Sequence, residues 1–507
     1  MMNFSQNSQN NAYPNIFPNS MKKLGIFTAY LIIGAFVFTS IILGQAPDRS
    51  KPPELGPTPS LTLPAIQHLK LSNNLAVVLM EKHQVPLVQV ELVVKTGSVM
   101  NPADKLGLAN LTATMMMQGA GSRNALELAD AIDFLGARIY TYGSWHVSGV
   151  SLHTPLSKLE DALALFADVA LRPTFTSEEL ERQRKERLTR LGQMHDEPTG
   201  ISTTAFSQII FGKDHPYGQM GSGDEKSIRS VTTTDLQNFH QKYFHPNNAT
   251  IIVVGDVTAD KIIPLLEKVF GSWDKGDDIQ QPVVPTAAQV ASRTVYLIDK
   301  PGAAQSVIRI GRVGVERSNP DYFAIEVMNT ILGGSFSSRL NHNLRETHGY
   351  TYGAGSGFTY PPFPGSFSAR ASVQTAVTDS SLIEFFKELH GILTPVSDDE
   401  LTRAKNYLAL QYPNGFQAVG QISSQLEDLV NYNLPDTYFN DYVKNVFAIT
   451  KDDVNRVAKK YIDPERVAIV IVGDRSKIES GIKALNLGTI QNMTIDDVLG
   501  KAPVLEK

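Results

Sequence analysis

Few side chains in this sequence have the type and spacing that covalent or metal chemistry requires. The 507 residues include no cysteine, which excludes a thiol nucleophile, disulfides and thiolate zinc sites. No G-x-S-x-G motif is present, and none of the 11 histidines forms the zinc motif H-x-x-E-H. Arg345 and Tyr352 lie seven residues apart in L-R-E-T-H-G-Y-T-Y-G. A guanidinium fork and a phenol can donate hydrogen bonds to an oxyanion, or they can be structural, with the arginine paired to a carboxylate and the tyrosine in a core.

The segment from Gly107 to Ala120 resembles a zinc-binding helix without its chemical residues. In H-x-x-E-H, two histidines lie on one helix face and hold zinc, and the glutamate serves as general base. The corresponding positions here are Asn110, Ala113 and Thr114. Asparagine and threonine are poor zinc ligands, and alanine cannot accept a proton. We therefore expect no metal in this chain.

These residues belong to the two copies of an internal repeat. Thr232 begins a stretch that continues through K-Y-F-H-P and I-I-V-V-G to Asp256, and Thr450 begins a matching stretch that ends at Asp474. The offset is constant (474 − 256 = 218), so the chain contains a duplicated domain of about 210–220 residues. Each copy predicts a capped helix followed by a buried strand. Strands and helices do not alternate regularly, which favours an α+β fold.

The domain organisation follows from the repeat and from proline content. We predict a leader at 1–46, a Pro-rich linker at 47–64, and a first domain at 65–275 that contains the degenerate helix. A second linker at 276–292 leads to a second domain at 293–490, which carries Arg345 and Tyr352, and to a C-terminal tail at 491–507. A formal net charge of −5 without a basic block gives no indication of nucleic-acid binding.

The leader predicts export. Two lysines precede the apolar run from Leu24 to Gly44, whose 21 residues are long enough to span a bilayer. A small-x-small cleavage pattern ends at Ala46, but Pro47 follows it, so a cleaved signal peptide and a retained membrane anchor stay as equal alternatives. We expect the mature chain in the periplasm or on the extracytoplasmic face of the membrane.

At this point the sequence resembles the pitrilysin and mitochondrial processing peptidase family of zinc metalloproteases, in its short bacterial form. The segments that carry the resemblance are G-L-A at Gly107, H-P-Y-G at His215, P-N-N-A at Pro246, L-G-G-S-F-S-S-R-L at Leu332 and G-Y-T-Y-G at Gly349. The resemblance implies two homologous halves, each a mainly antiparallel sheet with helices, that form half of a clam-shell chamber. It also implies that substrate peptides add a strand between Ile139 and Ser151, although a plain core strand fits this sequence equally well.

The resemblance implies roles for further residues. Arg190 falls where the family has its third zinc ligand, a glutamate, and a cation there argues against metal. Arg345 and Tyr352 match the pair that binds substrate carbonyl groups and steadies the oxyanion; Tyr350 is the less well placed alternative. Gly333 and Gly334 match a glycine-rich turn that can touch substrate, or they cap a helix. His240 and His245 flank a helix end and are expected on the surface.

The lost zinc site and the retained Arg/Tyr pair together predict a non-catalytic, substrate-binding subunit of a heteromeric zinc metalloendopeptidase. Its partner would be a homologous chain with an intact H-x-x-E-H motif, and that partner would hold the zinc. The alternative is a structural or peptide-binding homologue without a proteolytic role. A peptidase with another mechanism has little support, because the other nucleophile motifs are absent.

Overall fold

A computed structural model describes residue 56 and residues 61–504 of the chain. The first copy contains strands β1 to β8 and helices α1 to α8. The strands are Gln67–Lys70, Ala76–Glu81, Leu87–Val94, Gly119–Ala120, Arg123–Asn124, Arg138–Gly143, Ser148–Pro155 and Ala249–Gly255. The helices are Leu108–Met116, Ala125–Phe134, Leu159–Leu171, Ser177–Met194, Pro198–Phe211, Glu225–Ser230, Thr233–Tyr243 and Ala259–Phe270.

The second copy contains strands β9 to β14 and helices α9 to α17. The strands are Thr294–Asp299, Gln305–Val313, Thr351–Phe358, Ser366–Gln374, Ala468–Gly473 and Thr489–Met493. The helices are Tyr322–Asn329, Arg339–Asn341, Thr378–Gly391, Asp398–Gln411, Val419–Tyr432, Tyr438–Ala448, Lys451–Tyr461, Arg475–Ala484 and Ile495–Leu499. Wide helical turns at Thr330–Gly334 and His342–Thr347 follow α9 and α10.

Six strands of each copy form one sheet, and β4 and β5 form a separate two-stranded sheet in the first copy. The order is β1-β2-β8-β3-β7-β6 in the first sheet and β11-β12-β10-β13-β9-β14 in the second. Neighbours are antiparallel except β2 with β8, β13 with β9, and β9 with β14. The predicted α+β fold with two mainly antiparallel sheets is confirmed. Strands β6 and β11 occupy equivalent outer edges, and this places Tyr352 on an edge strand.

The repeat seen in the sequence extends through the whole fold. Helices α7 and α15 have identical lengths and begin 218 positions apart, at Thr233 and Lys451. Both start with a capping box, in which a threonine and an aspartate satisfy each other's free backbone groups. Strands β3 and β10 begin at Leu87 and Gln305, with the same offset. Equivalent sequence therefore folds into equivalent structure.

Each copy buries the outer face of the other copy's sheet. Helix α5, from the first copy, packs Ile201 and Phe206 against β10 and β13 of the second sheet. Helix α13, from the second copy, packs Ile422 and Leu426 against β3 and β8 of the first sheet. Strands β8 and β13 are consequently buried along their whole length, as their unbroken apolar sequence requires. The two halves are thus joined by two reciprocal apolar contacts.

The predicted linkers and tail have distinct local structures. Residues 276–292 contain neither helix nor strand, since α8 ends at Phe270 and β9 begins at Thr294. The segment predicted as a tail from residue 491 contributes the end of β14, and Val498 and Leu499 of α17 pack with the cluster around α5. No helix within residues 61–504 is long and apolar enough to cross a membrane. The apolar run at Leu24 to Gly44 lies outside the described residues.

Candidate functional site

Helix α1 presents the three degenerate zinc positions. It begins after Gly107, whose φ of 82° is left-handed and where a Cβ would come within 2.6 Å of the backbone of Gly223. Asn110 and Thr114 are half-buried on one helix face, and the Thr114 hydroxyl donates to the Asn110 carbonyl oxygen over 3.0 Å. Ala113 is 2% exposed, and its carbonyl accepts a 2.6 Å hydrogen bond from Thr141 on β6. Helix α1 is therefore fixed to the edge of the first sheet.

A buried arginine contacts both outer positions of this face. Arg187, on α4, donates from Nη2 to Thr114 Oγ1 over 2.8 Å and to the Asn110 carbonyl over 3.3 Å. Only 9% of Arg187 is exposed, and its Nε has no hydrogen-bond partner among the described residues. Burial lowers the pKa of Arg187 to about 10, so the group is still a cation at neutral pH. A guanidinium therefore lies against the face where two zinc ligands would stand.

Arg190 lies elsewhere on α4. Its side chain is 72% exposed and pairs with Glu186 at 2.8 Å, so the structure does not bring it to Asn110 or Thr114. The cation that reaches them, Arg187, was missed by sequence reasoning. Helical spacing could have found it, because Gln183, Arg187 and Leu191 share the buried face of α4.

The residues present do not fit a zinc ion. An amide, a methyl group and a hydroxyl beside a guanidinium supply none of the neutral imidazole or carboxylate ligands that zinc takes. Among the residues that the structure describes, no group of three or more His, Asp or Glu side chains could hold a metal. His240 is buried rather than on the surface: its Nε2 lies 2.8 Å from the Ala170 carbonyl oxygen, because it shares a helix face with Leu236.

Arg345 lies in the wide turn that follows α10. Its guanidinium carbon is 4.5 Å from the centre of the Phe336 ring, a cation–π contact that holds the fork in place. Nη1 lies 3.3 Å from Glu346 Oε1 but makes no hydrogen bond to the described residues. The side chain is 35% exposed. The fork therefore lies against an aromatic ring, with Nη1 buried and part of the side chain open to another partner.

Tyr352 is 93% exposed on the edge strand β11. The pairing of β11 with β12 is irregular between Thr351 and Ala354, so Tyr352 sits at a break in the ladder. Tyr350 differs, since it is half-buried and its ring stacks on His348 at 4.9 Å. A core role for Tyr352 is excluded by its exposure, and its hydroxyl is open to a ligand.

The glycine-rich turn supports this arrangement. A Cβ on Gly333 would lie 2.2 Å from the backbone nitrogen of Ser356 on β11, so only glycine allows the turn to pack so closely. A Cβ on Gly334 would lie 2.8 Å from the Asn329 side chain. Phe336 follows and is 67% exposed beneath Arg345. The turn thus sets the position of the ring that carries the guanidinium.

The structure does not bring the two sets of residues together within one chain. Asn110, Ala113, Thr114 and Arg187 belong to the first copy, and the group around Arg345 belongs to the second. No hydrogen bond or ion pair within residues 61–504 joins them. In the predicted peptide-binding segment Ile139 to Ser151, β6 is an edge strand, whereas β7 is paired on both sides. Only β6 could accept an added strand.

Comparisons with known proteins match both halves. Residues 76–217 match the model of insulinase (peptidase family M16), and residues 230–408 match the model of the peptidase M16 inactive domain. An uncharacterized zinc protease of Rickettsia felis is 25% identical over 407 residues, 79% of this chain and 96% of its own length. An uncharacterized zinc protease of Mycobacterium leprae is 27% identical over 316 residues, 62% of this chain and 70% of its own.

Solved structures give the same fold. The crystal structure of a peptidase M16 inactive domain from Pseudomonas fluorescens has a TM-score of 0.75 and 26% identity, and the match covers 81% of this chain and 98% of that one. A protease from Helicobacter pylori also has a TM-score of 0.75, at 20% identity, with 81% and 100% of the two chains covered. This second likeness concerns the fold alone.

Proposed function

Because the chain belongs to peptidase family M16, we propose that it is the non-catalytic, substrate-binding subunit of a heteromeric zinc metalloendopeptidase. Its partner is a homologous chain with an intact H-x-x-E-H motif, which holds the zinc. This chain contributes Arg345 and Tyr352 to the partner's site. The leader from residue 1 to residue 46 directs it across the membrane and is either removed or kept as an anchor, so the complex works outside the cytoplasm.

The proposal depends mainly on a difference in exposure between the α1 face, where the zinc ligands would stand, and Tyr352. The zinc face of α1 is occupied by the buried guanidinium of Arg187, which donates to Thr114 and Asn110. Tyr352, in contrast, is 93% exposed and has no place in a core. A chain that kept its own zinc chemistry would need the first region; a chain that serves another site needs only the second.

The exposed pair has the chemistry that peptide hydrolysis demands of a supporting subunit. When a peptide carbonyl becomes tetrahedral, its oxygen gains negative charge, and preorganised donors lower the barrier. The Arg345 fork is held on the Phe336 ring, and the Tyr352 hydroxyl lies on a neighbouring edge strand. Neither donor needs metal in its own chain.

Reconstitution tests the proposal. The exported chain is purified alone and with its homologous H-x-x-E-H partner, and zinc content and cleavage of an unstructured peptide are measured. Alone, the chain should bind no stoichiometric zinc and cleave nothing, and the partner should restore cleavage. Arg345→Ala should lower this activity without loss of the complex on a sizing column. Arg403→Ala is the matched control, because Arg403 is an exposed arginine on α12 that pairs with Asp399.

Two results would contradict the proposal. Zinc-dependent cleavage by the isolated chain would show that it has a site of its own. Full activity of the Arg345→Ala and Tyr352→Phe complexes would show that the pair does not act on substrate. The second result would favour the alternative, a structural or peptide-binding homologue without a proteolytic role.

A further inference from the structure

A cavity of about 810 Å³ lies between the two copies, apart from Arg345 and Tyr352. It is lined by the turn between β6 and β7, residues 144–147, and by residues 359–363 of the turn between β11 and β12. Trp145 and Phe363, which are 218 positions apart and therefore equivalent in the repeat, both line it. Asn110 of α1 also contributes to the lining. The volume is that of a site for several side chains rather than a packing defect.

The wall from the first copy is a fixed aromatic surface. Trp145 stacks on Tyr217 with ring centres 4.5 Å apart, and Tyr217 is only 1% exposed. His146 Nε2 lies 2.6 Å from the Tyr217 hydroxyl, and its ring stacks on Phe363 at 5.8 Å. The carbonyl groups of the turn accept hydrogen bonds from the backbone at residues 98 and 99. Little conformational entropy remains to be lost when a ligand binds to this wall.

The wall from the second copy is equally constrained. The Tyr360 hydroxyl donates to Glu326 Oε1 over 2.8 Å. The Arg317 guanidinium carbon lies 5.7 Å from the centre of the Tyr432 ring and 3.7 Å from that of Tyr322. Arg317 and Glu326 stand behind the tyrosines and do not line the cavity. The cavity is thus faced by rings, and the charges that hold the rings are behind them.

The lining has almost no charge of its own. Among the lining residues that the structure describes, Lys95 is the only lysine, arginine, aspartate or glutamate. Burial lowers the pKa of His146 to about 4, so this ring is neutral at physiological pH. A ligand with several charges would lose its hydration without gaining partners. The site therefore fits an uncharged ligand.

The rings of the lining indicate which uncharged ligand fits. Asn431 also lines the cavity, but its Nδ2 donates to Glu427 at 3.5 Å and its Oδ1 is buried, so the amide oxygen is closed to a ligand. Recognition must therefore come from the aromatic side chains. Grooves lined by aromatic side chains are the surroundings in which proline-rich segments dock.

We propose that this cavity binds a short, uncharged peptide segment that carries proline, with the proline ring between Trp145 and Tyr432. The inference rests on the peptide-binding part of the proposed function. It adds a substrate preference and a second contact point, distinct from the carbonyl-binding pair Arg345 and Tyr352. A peptide anchored here is held by this chain before any partner acts on it.

The position of binding can be read from tryptophan fluorescence. The chain has two tryptophans, and Trp273 packs at the edge of the first copy's core, so Trp273→Phe leaves Trp145 as the only tryptophan, which is excited selectively over tyrosine. This variant is titrated with a capped neutral peptide of alternating alanine and proline and with a matched peptide in which glycine replaces proline. We expect a saturable change with the proline peptide and at least about tenfold weaker binding of the glycine peptide.

The contribution of each wall is measured by anisotropy of the fluorescein-labelled proline peptide. Trp145→Ala and Tyr432→Ala should each raise Kd about tenfold or more, because aromatic anchors dominate such contacts. Phe134→Ala is the matched control, since Phe134 is an exposed ring on α2 outside the cavity. Thermal unfolding checks that each variant is folded, and Tyr432→Ala carries the test if Trp145→Ala does not fold.

Three results would overturn the inference: no binding of the proline peptide, equal Kd for the proline and glycine peptides, or equal losses in Phe134→Ala and the cavity variants. The assay uses the chain alone, without partner or zinc. A failed reconstitution of protease activity would therefore contradict the proposed function without altering this result.

Discussion

The two copies of the repeat differ in the burial of the residues that could do chemistry. In the first copy, the face of α1 is closed by Arg187, which is 9% exposed and donates to the helix it covers. In the second copy, Arg345 is held on an aromatic ring, and Tyr352 is 93% exposed on an edge strand. In the first region a cation lies against the helix face of Asn110 and Thr114, whereas in the second region the tyrosine is exposed and the guanidinium is partly buried, with Nη1 covered. The two copies of one fold therefore differ in how their chemical regions are buried.

The largest predicted effect is on zinc affinity, when the zinc-ligand positions of α1 are restored by substitution. Asn110→His, Ala113→Glu and Thr114→His together should not bind zinc while Arg187 is present, because its cation contacts position 114. Adding Arg187→Glu should lower the zinc Kd by about 10³-fold or more, since it removes the cation and supplies a third ligand. Competition with a chromophoric chelator measures this Kd.

The matched control for the zinc experiment is Arg190→Glu in the same triple variant. Arg190 is exposed and paired with Glu186, so this change should leave zinc binding undetectable. Stoichiometric zinc binding by the Arg190→Glu variant would place the third zinc ligand at residue 190, as the family resemblance implies. It would contradict the structure, in which Arg187 and not Arg190 contacts α1.

The next largest effect should follow from loss of the Tyr352 hydroxyl. Tyr352→Phe in the reconstituted complex should lower kcat by about 10²-fold, the usual effect of one oxyanion donor. KM should change much less, because the hydrogen bond is strongest in the transition state. Tyr350→Phe, two residues before Tyr352 and just outside β11, is the control. An equal loss in Tyr350→Phe would move the role to that residue.

The reciprocal contacts between the copies also differ in charge. Glu91 on β3 is buried and Glu427 on α13 is half-buried where α13 covers the first sheet. The position equivalent to Glu91 in the second sheet is Arg309, which donates to Thr203 of α5. Burial, and then the charge of Glu91, raise the pKa of Glu427 to about 7. An acid with a raised folded pKa contributes stability at low pH and loses it as pH rises through the folded value.

The free energy of unfolding should therefore fall between about pH 4.5 and pH 7 through Glu427, by about 3 kcal/mol. Glu427→Gln should remove this fall and make the protein more stable than the wild type at pH 8. Urea unfolding at pH 5 and pH 8 measures the difference. If the free energies of unfolding of the wild type and of Glu427→Gln differ by the same amount at both pH values, titration of this carboxyl is excluded as the cause of the pH dependence.

The smallest effect should come from the ring beneath Arg345. Phe336→Ala removes the cation–π contact and should lower the activity of the complex about fivefold, in line with about 1 kcal/mol for an exposed contact. Phe336→Tyr should keep the activity of the complex, since the aromatic ring under the guanidinium is retained. Phe134→Ala, at another exposed phenylalanine, is the control for stability. A loss of activity in Phe336→Tyr as large as in Phe336→Ala would rule out positioning by the ring.

Much of the fold could be predicted because it depends on local patterns. The offset of 218 residues, the threonine caps of α7 and α15, and the apolar runs of β8 and β13 are all visible in the sequence and all occur in the structure. The exchange of α5 and α13 between the two sheets could not be predicted. Their apolar faces show that each is buried but do not identify the sheet that buries it.

The sequence by itself determined which chemistry is absent. Without cysteine, without H-x-x-E-H, and with Asn110, Ala113 and Thr114 at the positions of that motif, the ligand and base types are lacking however the chain folds. It also contained the Arg345 and Tyr352 pair. Residue identity alone settles these points, because ligand strength and proton affinity are properties of the side chain.

Only the tertiary structure decided which cation closes the old zinc face and how the remaining donors are presented. Arg187 and Arg190 lie on one helix three residues apart, and packing of α4 buries one and exposes the other. Packing of the glycine-rich turn on β11 likewise places Phe336 beneath Arg345. Helical spacing can assign Arg187 to the buried face of α4, but its contact with α1 depends on residues distant in the chain, and no local pattern specifies that contact.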